Sequence, residues 1–554
     1  MMELRSHPMT EPTLPAWTPA HYARTHWPQR MLTAYLDDAV GRHPDKVAIV
    51  DYNSMHGKAT TLSYRQLQRI VGRIAAGLAT MGVKKGAIVA CQLPNWWQFV
   101  ALYLACARLG AIINPLMPIF RQRELRYMLG FAEAEVMVVP RFFRGCDYPA
   151  MIADIRADLP RLAHLLVIGG SGEDSFERRL LDRRWDDEVD LAALYARHAP
   201  SPDDVTQLLY TSGTTGEPKG VMHTSNTLLS ILTKYAERLG LGDDDIIFMA
   251  SPMGHQAGFM YGLMMGPMLG AKLVLQDIWN ADQAAVLIQD EAVTYTMGST
   301  PFLADLTDSP AVELTDMSSL RTFVSSGAPI PSTLVQRATR RLGARIISAW
   351  GMSENGSVTT TVPGDPDDRI FGTDGVALPG IDVRVVDSNG SAVEAGMEGH
   401  LQCRGISMFI GYFRRPELNQ ATPDGWFDTG DLARMDADGY IRITGRAKDI
   451  IIRGGENIPV VEIENLLYRH PAIRQVAIVG VPDPRLGERA CAFVVLRQGE
   501  RFDFAEMVAY LERCQLARQY LPEYLEVLPQ MPMTVSGKIQ KFQLREMAKS
   551  SGVK

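Results

Sequence analysis

Ten consecutive residues, Thr211-Ser-Gly-Thr-Thr-Gly-Glu-Pro-Lys-Gly220, bring together three glycines, four hydroxyl side chains and one lysine. Glycine lets backbone N–H groups close around an anion, hydroxyls add donors, and a lysine adds a point charge. That combination suits phosphate chemistry. A flexible polar surface loop is the plainer reading, but it leaves the lysine and the strand-like Thr206-Gln-Leu-Leu-Tyr run before it unexplained. A Walker A loop is excluded by spacing, because Gly213 and Gly216 are too close and Gly220, not a hydroxyl residue, follows Lys219.

Other candidates are weak singly. Glu354 and Lys538 would each ordinarily be solvated charges, and Trp350 is equally a core aromatic or a flat face for a base. A hydrolase nucleophile elbow at Gly351-Met-Ser-Glu-Asn355 fails, since Asn355 stands where G-x-S-x-G needs glycine.

Taken in order, these segments resemble the adenylate-forming superfamily of acyl-CoA synthetases, peptide-synthetase adenylation domains and beetle luciferases. Tyr210–Gly220 is similar to its phosphate-loop signature. Ser325-Ser-Gly-Ala-Pro329 resembles the adenine-side loop, with Ser326 where glycine is common. Ala349-Trp-Gly-Met-Ser-Glu354, Trp426-Phe-Asp-Thr-Gly-Asp431, Gly445-Arg-Ala-Lys-Asp449 and Pro532–Ile539 resemble the remaining motifs, so the likeness covers nearly the whole chain. It implies an ATP-dependent enzyme that forms an acyl-adenylate and then a coenzyme A thioester, releasing pyrophosphate and AMP. Intact Lys219, Glu354, Asp431, Arg446 and Lys538 argue against a non-catalytic adenylate-binding relative.

By position, the resemblance implies phosphate contacts from Thr211, Ser212, Gly213, Thr214, Thr215, Gly216 and Lys219, an adenine side formed by Gly327, Ala328, Pro329 and Trp350, and further cofactor contacts from Gly351, Met352 and Ser353. Thr214 and Glu354 would meet the Mg2+ of MgATP through hard oxygen ligands. Asp431 would accept the ribose hydroxyls, with Arg446 near the ribose or α-phosphate. Lys538 would bridge carboxylate and phosphate, stabilising charge as two anions approach. Lys448 is the implied hinge about which the C-terminal part rotates between half-reactions, and Gly454 and Gly455 would face the pantetheine tunnel.

The implied acyl pocket follows the phosphate loop, at Ser251-Pro-Met-Gly-His-Gln-Ala-Gly-Phe-Met-Tyr261. Amino-acid-activating domains typically carry an Asp near here, whereas this segment has no carboxylate. His255 is expected at the carboxylate end, although a satisfied core histidine is an even alternative. The segment is similar to cyclohexanecarboxylate and medium-chain fatty acid CoA ligases. An aromatic acid, and a carrier-protein pantetheine as acceptor, stay open as alternatives.

The elements that must hold these residues read as α/β. Strand-like runs at Val47–Tyr52, Ala87–Cys91, Glu135–Val139, His164–Ile168, Ile246–Ala250, Lys272–Leu275, Arg321–Val324 and Arg345–Ser348 alternate with helical patterns. One helix is expected after Ser63, another over Trp97–Leu109, and a third starting near Thr224, after the glycine-rich loop. The alternation predicts parallel sheets covered by helices. Beyond about Gly380, closely spaced strands predict a small β subdomain. A compact α+β unit follows, with helix Val461–Tyr468, strands Gln475–Val481 and Ala490–Leu496, and helix Phe504–Leu516. The expected division is a large N-terminal domain, residues 1–445, and a small mobile C-terminal domain, residues 446–554.

A length of 554 residues, 46% hydrophobic and 21% charged, fits a globular chain of several domain-sized units. The net charge of −7, without a long basic block, gives no reason to expect nucleic acid or an anionic membrane as partner. No apolar run reaches the length of a membrane span, and the start of the chain lacks the apolar region of a signal peptide. Six scattered cysteines show no metal-ligand spacing and fit reduced thiols. The expected address is cytoplasmic and the expected partners are a small carboxylic acid and coenzyme A. A homodimer is left open.

Overall fold

The computed structural model describes residues 26–550 except 56, 212–217, 328–329, 420, 454–455 and 535–536. Two large sheets, of nine and seven strands, form the N-terminal part. In the nine-stranded sheet Val47–Asn53, Lys272–Gln276, Ile246–Met249, Tyr295–Ser299, Thr322–Ser326 and Arg345–Met352 run parallel to their neighbours. Antiparallel strands finish both of its edges. In the seven-stranded sheet His164–Ile168, Val136–Pro140, Ile88–Cys91, Ile112–Pro115 and Val205–Thr211 are parallel. Every residue of Ile88–Cys91 and Val136–Pro140 is buried, as unbroken apolar strands covered on both faces should be.

The expected helix after Ser63 spans Tyr64–Thr80 and starts with a capping box: Ser63 accepts from the Gln66 backbone, and Gln66 accepts from the Ser63 backbone. Helix Trp97–Leu109 has the expected bounds, is buried nearly all round, and stops at Gly110 in the left-handed region, φ 64°. The helix expected near Thr224 spans Ser225–Leu239, with Thr224 as its cap. Before it lies strand Lys219–Thr224, which was not legible in the sequence; it pairs antiparallel with Val205–Thr211, so the two strands form a hairpin with the glycine-rich segment between them in sequence.

The β subdomain is a four-stranded antiparallel sheet of Ile381–Val386, Glu398–Gly405, Phe427–Met435 and Ile441–Arg446. Phe427–Met435 was not legible as a strand. After Arg446 comes a short turn, Ala447–Asp449, which contains Lys448, and Ile451–Arg453 already belongs to another sheet. This C-terminal unit has five strands, dominated by the hairpin Ile473–Asp483 and Gly487–Leu496, with Tyr524–Val527 added parallel to the second. Helices Val460–Tyr468 and Phe504–Arg513 and the helix Lys541–Ser550 pack on it. Two apolar clusters, one around Ile463 and Leu511 and one around Phe493 and Leu544, give it cores of its own. No helix among the described residues is long and apolar enough to cross a membrane.

Candidate active site

A cleft of about 1880 Å³ runs between the N-terminal sheets, the β subdomain and the C-terminal unit. Thr211, Gly327, Trp350, Gly351, Asp431, Arg446 and Lys538 all line it, although they come from six separate segments. Ser212, Gly213, Thr214, Thr215, Gly216, Ala328, Pro329, Gly454 and Gly455 lie outside the described residues.

Trp350, Gly351 and Met352 end the strand Arg345–Met352. Its pairing with Gly356–Thr360 slips between Trp350 and Gly351, and a Cβ at Gly351 would stand 1.9 Å from the Gly356 carbonyl oxygen. Only glycine allows that approach. The turn that follows is pinned from two sides. Asn355 Oδ1 accepts from the Met352 backbone at 2.9 Å, and His223 Nε2–H donates to the Ser353 carbonyl at 2.7 Å. Burial pushes the His223 pKa down to about 4, so the ring is neutral at physiological pH.

This turn delivers Glu354 into a buried position. Tyr412 donates to Glu354 Oε1 at 2.8 Å, and the face of the same ring lies 5.0 Å from Lys219 Nζ. Tyr412 gets there because Gly411–Tyr412 extends the hairpin sheet, pairing with Val221 and Met222. Burial raises the Glu354 pKa above the ordinary carboxylate range, while the Tyr412 hydrogen bond and the charges of Lys219 and Arg446 act against the rise. Lys219, Tyr412 and Glu354 therefore form a deeper group beside the cleft. Neither Tyr412 nor His223 was legible as a site residue, since a single Tyr or His has no local pattern that marks it.

Asp431 is buried with both oxygens engaged. Oδ2 accepts from Trp350 Nε1 at 2.9 Å, and Oδ1 lies 2.9 Å from Arg446 Nε. The antiparallel register sets Asp431 opposite Arg446, and the Trp350 ring is oriented by the carboxylate. The structure thus joins three residues that the sequence treated one by one.

Lys538 arrives from the far end of the chain. Thr534 accepts from the Lys538 backbone at 2.9 Å and donates its own N–H to the Lys538 carbonyl at 2.7 Å, which closes a tight loop. The lysine Cε stands 3.4 Å from where a Cβ on Gly327 would be, and Gly327 has φ +82°. The charge of Lys538 also acts on His255. Burial first, and the positive lysine second, push the His255 pKa down to about 3, so this imidazole stays neutral. His255 caps Gln256–Gly258, which runs into the π-helical turn Phe259–Met264. Phe259, Met260 and Tyr261 are buried there. The Tyr261 hydroxyl is satisfied by Ser357, donating to its Oγ and accepting from its N–H, both at 2.7 Å.

Glu354 supplies one hard oxygen ligand of the kind Mg2+ takes, and a single carboxylate fits an ion held mainly by phosphate and water. No cluster of three or more His, Cys, Asp or Glu able to hold a metal by itself exists among the described residues.

Residues 36–413 match the AMP-binding enzyme family, and residues 462–538 match the AMP-binding enzyme C-terminal domain. The chain belongs to this family of adenylate-forming enzymes and is an AMP-forming acid–thiol ligase. It is 36% identical over 523 residues to a medium-chain fatty-acid–CoA ligase of Escherichia coli, covering 94% of this chain and 91% of that one. It is 35% identical over 530 residues to a salicylyl-CoA synthase / salicylate adenylyltransferase of a Streptomyces species, covering 95% of each. Among solved structures, the anthranilate CoA ligase AuaEII in complex with anthranoyl-AMP superposes with a TM-score of 0.84 at 25% identity, covering 95% of this chain and 98% of that one. ATP-bound MatB from Rhodopseudomonas palustris superposes with a TM-score of 0.81 at 28% identity, covering 94% and 99%.

Proposed function

We propose that this ligase activates an uncharged, apolar monocarboxylic acid, alicyclic or of medium chain length, and transfers the acyl group to free coenzyme A. The observation that carries the adenylation reading is Lys538 lining the cleft with its Cε 3.4 Å from where a Cβ on Gly327 would be. It supplies a positive charge where the acid's carboxylate would meet the α-phosphate of ATP. The carboxylate oxygen attacks that phosphorus and pyrophosphate leaves, making the acyl carbon a good electrophile. A thiol then attacks it and AMP leaves. Lys219 and the glycine-rich loop bind phosphates, Glu354 with Thr214 holds the Mg2+ of MgATP, and Trp350 with Asp431 receives the nucleoside. Lys448 is the hinge that lets Lys538 withdraw before the thiol enters past Gly454 and Gly455.

The acid class rests on the segment after His255. Phe259, Met260 and Tyr261 are buried, the Tyr261 hydroxyl is already satisfied by Ser357, and residues 251–261 contain no Asp, Glu, Lys or Arg. An unpaired charge buried there would cost several kcal/mol, whereas each buried methylene contributes about 0.8 kcal/mol. The medium-chain relative agrees with an aliphatic acid. The salicylate and anthranilate ligases favour a second reading, an aromatic acid, in the same pocket. The test is to compare kcat/KM for cyclohexanecarboxylate, hexanoate, benzoate, acetate and a free amino acid, with thioester formed on coenzyme A as the readout. Cyclohexanecarboxylate or hexanoate should lead. Preference for benzoate would select the aromatic reading, and preference for acetate or the amino acid would sink the apolar pocket.

A further inference from the structure

Helix Thr300–Asp308 belongs to the N-terminal part, directly after the strand Tyr295–Ser299. Pro301, Asp305 and Asp308 fall at i, i+4 and i+7, so they share one face over roughly 10 Å of helix. Each of the three meets the C-terminal unit. A Cβ on Gly537, the residue before Lys538, would stand 3.3 Å from Pro301 and 2.3 Å from Ser299 Oγ, so the lysine loop is seated hard on the start of this helix. Arg474 Nη2 lies 3.1 Å from Asp305 Oδ1, and Arg497 Nη1 lies 3.5 Å from Asp308 Oδ2.

Both aspartates are prepared for these partners. Trp279 Nε1 donates to Asp305 Oδ2 at 3.1 Å, leaving Oδ1 for Arg474, and the Trp279 ring is braced against Phe302 with centroids 4.5 Å apart. Asp308 is also held by Arg337 of its own domain at 3.1 Å. Neither pair is buried. Arg474 and Asp305 are 56% and 34% exposed, and Arg497 and Asp308 are both 38% exposed. Such pairs are individually weak and screened by salt. A contact that must form and break in every turnover needs that property: it orients the C-terminal unit without locking it.

We propose that Asp305 and Asp308 are positioning residues for adenylate formation, a rail on one helix that captures Arg474 and Arg497 and so brings Lys538 into the cleft. The inference rests on the proposed adenylation role of Lys538 and adds the residues that decide how often the lysine is in place. Both line the cleft, but their carboxylates are engaged by Trp279, Arg337 and the two arginines of the C-terminal unit, so they should affect the first half-reaction and spare the second.

The experiment uses the full chain and the variants D305N/D308N, D305R and D305R/R474D. Asparagine at 305 keeps the acceptor for Trp279, which guards the local fold. Two half-reactions are measured on the same preparations: acid-dependent ATP–pyrophosphate exchange, and thioester formation from supplied acyl-adenylate and coenzyme A. Exchange should fall about fivefold in D305N/D308N, the scale of exposed ion pairs, while thioester formation holds or rises. D305R should fall further, and D305R/R474D should recover most of the loss. Unchanged exchange, an equal fall in both half-reactions, or no recovery in the charge swap would overturn the rail. A readout that needs no acid is energy transfer between fluorescent unnatural amino acids at the exposed positions Leu314 and Phe504, with ATP bound. Transfer should drop in D305N/D308N, and an unaltered signal counts against the proposal. If the unmodified chain shows no acid-dependent exchange at all, the functional reading fails, and energy transfer still decides whether the rail exists.

Discussion

Tyr412 and Glu354 are joined by a hydrogen bond of 2.8 Å in which the phenol donates to the carboxylate. The phenol keeps a buried carboxylate ionisable and holds it beside Lys219, whose ammonium faces the same aromatic ring. Without that donor, Glu354 would have a backbone hydrogen bond and the more distant charges of Lys219 and Arg446 to offset its burial.

Tyr412→Phe should therefore slow adenylation by roughly tenfold or more, the scale of one hydrogen bond to a charged group. Removing the donor takes away an influence that lowers the Glu354 pKa, so the pKa rises further. The acid limb of the pyrophosphate-exchange profile, where Glu354 gains its proton, should move to higher pH. A limb that stays where it is would separate Tyr412 from Glu354 ionisation.

Lys538→Ala should abolish acid-dependent pyrophosphate exchange and leave thioester formation from supplied acyl-adenylate near its original rate. Lys538 stands against Gly327 and Gly537 against Ser299, and in the proposed mechanism the lysine serves only the geometry with these contacts made. Equal loss of both half-reactions would show that it does more than assist the attack on ATP.

His223 makes the fold acid-sensitive. Its folded pKa of about 4 lies below the ordinary value of 6.5, so the unfolded chain takes up a proton first. The contribution is intact above pH 6.5 and is lost progressively as pH falls toward 4, by about 2 kcal/mol at pH 5. His255, pushed down to about 3, acts in the same direction. Urea midpoints measured from pH 7.5 to 5 should fall more steeply for the unmodified chain than for His223→Asn, which keeps an N–H for the Ser353 carbonyl. Parallel slopes would count against a neutral buried His223.

Gly351→Ala should cost stability and activity together. Its Cβ would meet the Gly356 carbonyl oxygen at 1.9 Å, so the bulge that turns the chain toward Glu354 must open. The expected loss is about 1–3 kcal/mol, as for other overpacked sites, read from the urea midpoint. An unchanged midpoint would mean that the slip between Trp350 and Gly351 is adjustable.

Much of this protein was legible along the chain because short-range signals act over a few residues. The unbroken apolar run Val136–Pro140 is a doubly covered strand, the bounds of Trp97–Leu109 were read correctly, and Ser63 with Gln66 starts a helix through a three-residue exchange of hydrogen bonds. Motif order, from the glycine-rich loop to Lys538, was enough to indicate the family. Where an element is decided by pairing, the reading failed. Lys219–Thr224 is a strand because Val205–Thr211 and Gly411–Tyr412 offer their edges to it, and nothing local requires that choice. The same holds for Phe427–Met435, whose partners lie on both sides of it in the sheet.

The site itself belongs to the tertiary structure. Glu354 and Tyr412 are 58 residues apart in sequence, and Trp350 and Asp431 are 81 apart. Lys538 meets Gly327 only because the C-terminal unit folds around its own cores and then seats on helix Thr300–Asp308. Residue types and spacing determine which side chains are chemically able to bind phosphate, accept from ribose or bridge two anions. Which of them share one cleft, and which carboxylate keeps its charge there, is decided by packing and burial, because hydrogen bonds, ion pairs and desolvation depend on distance in space rather than distance along the chain.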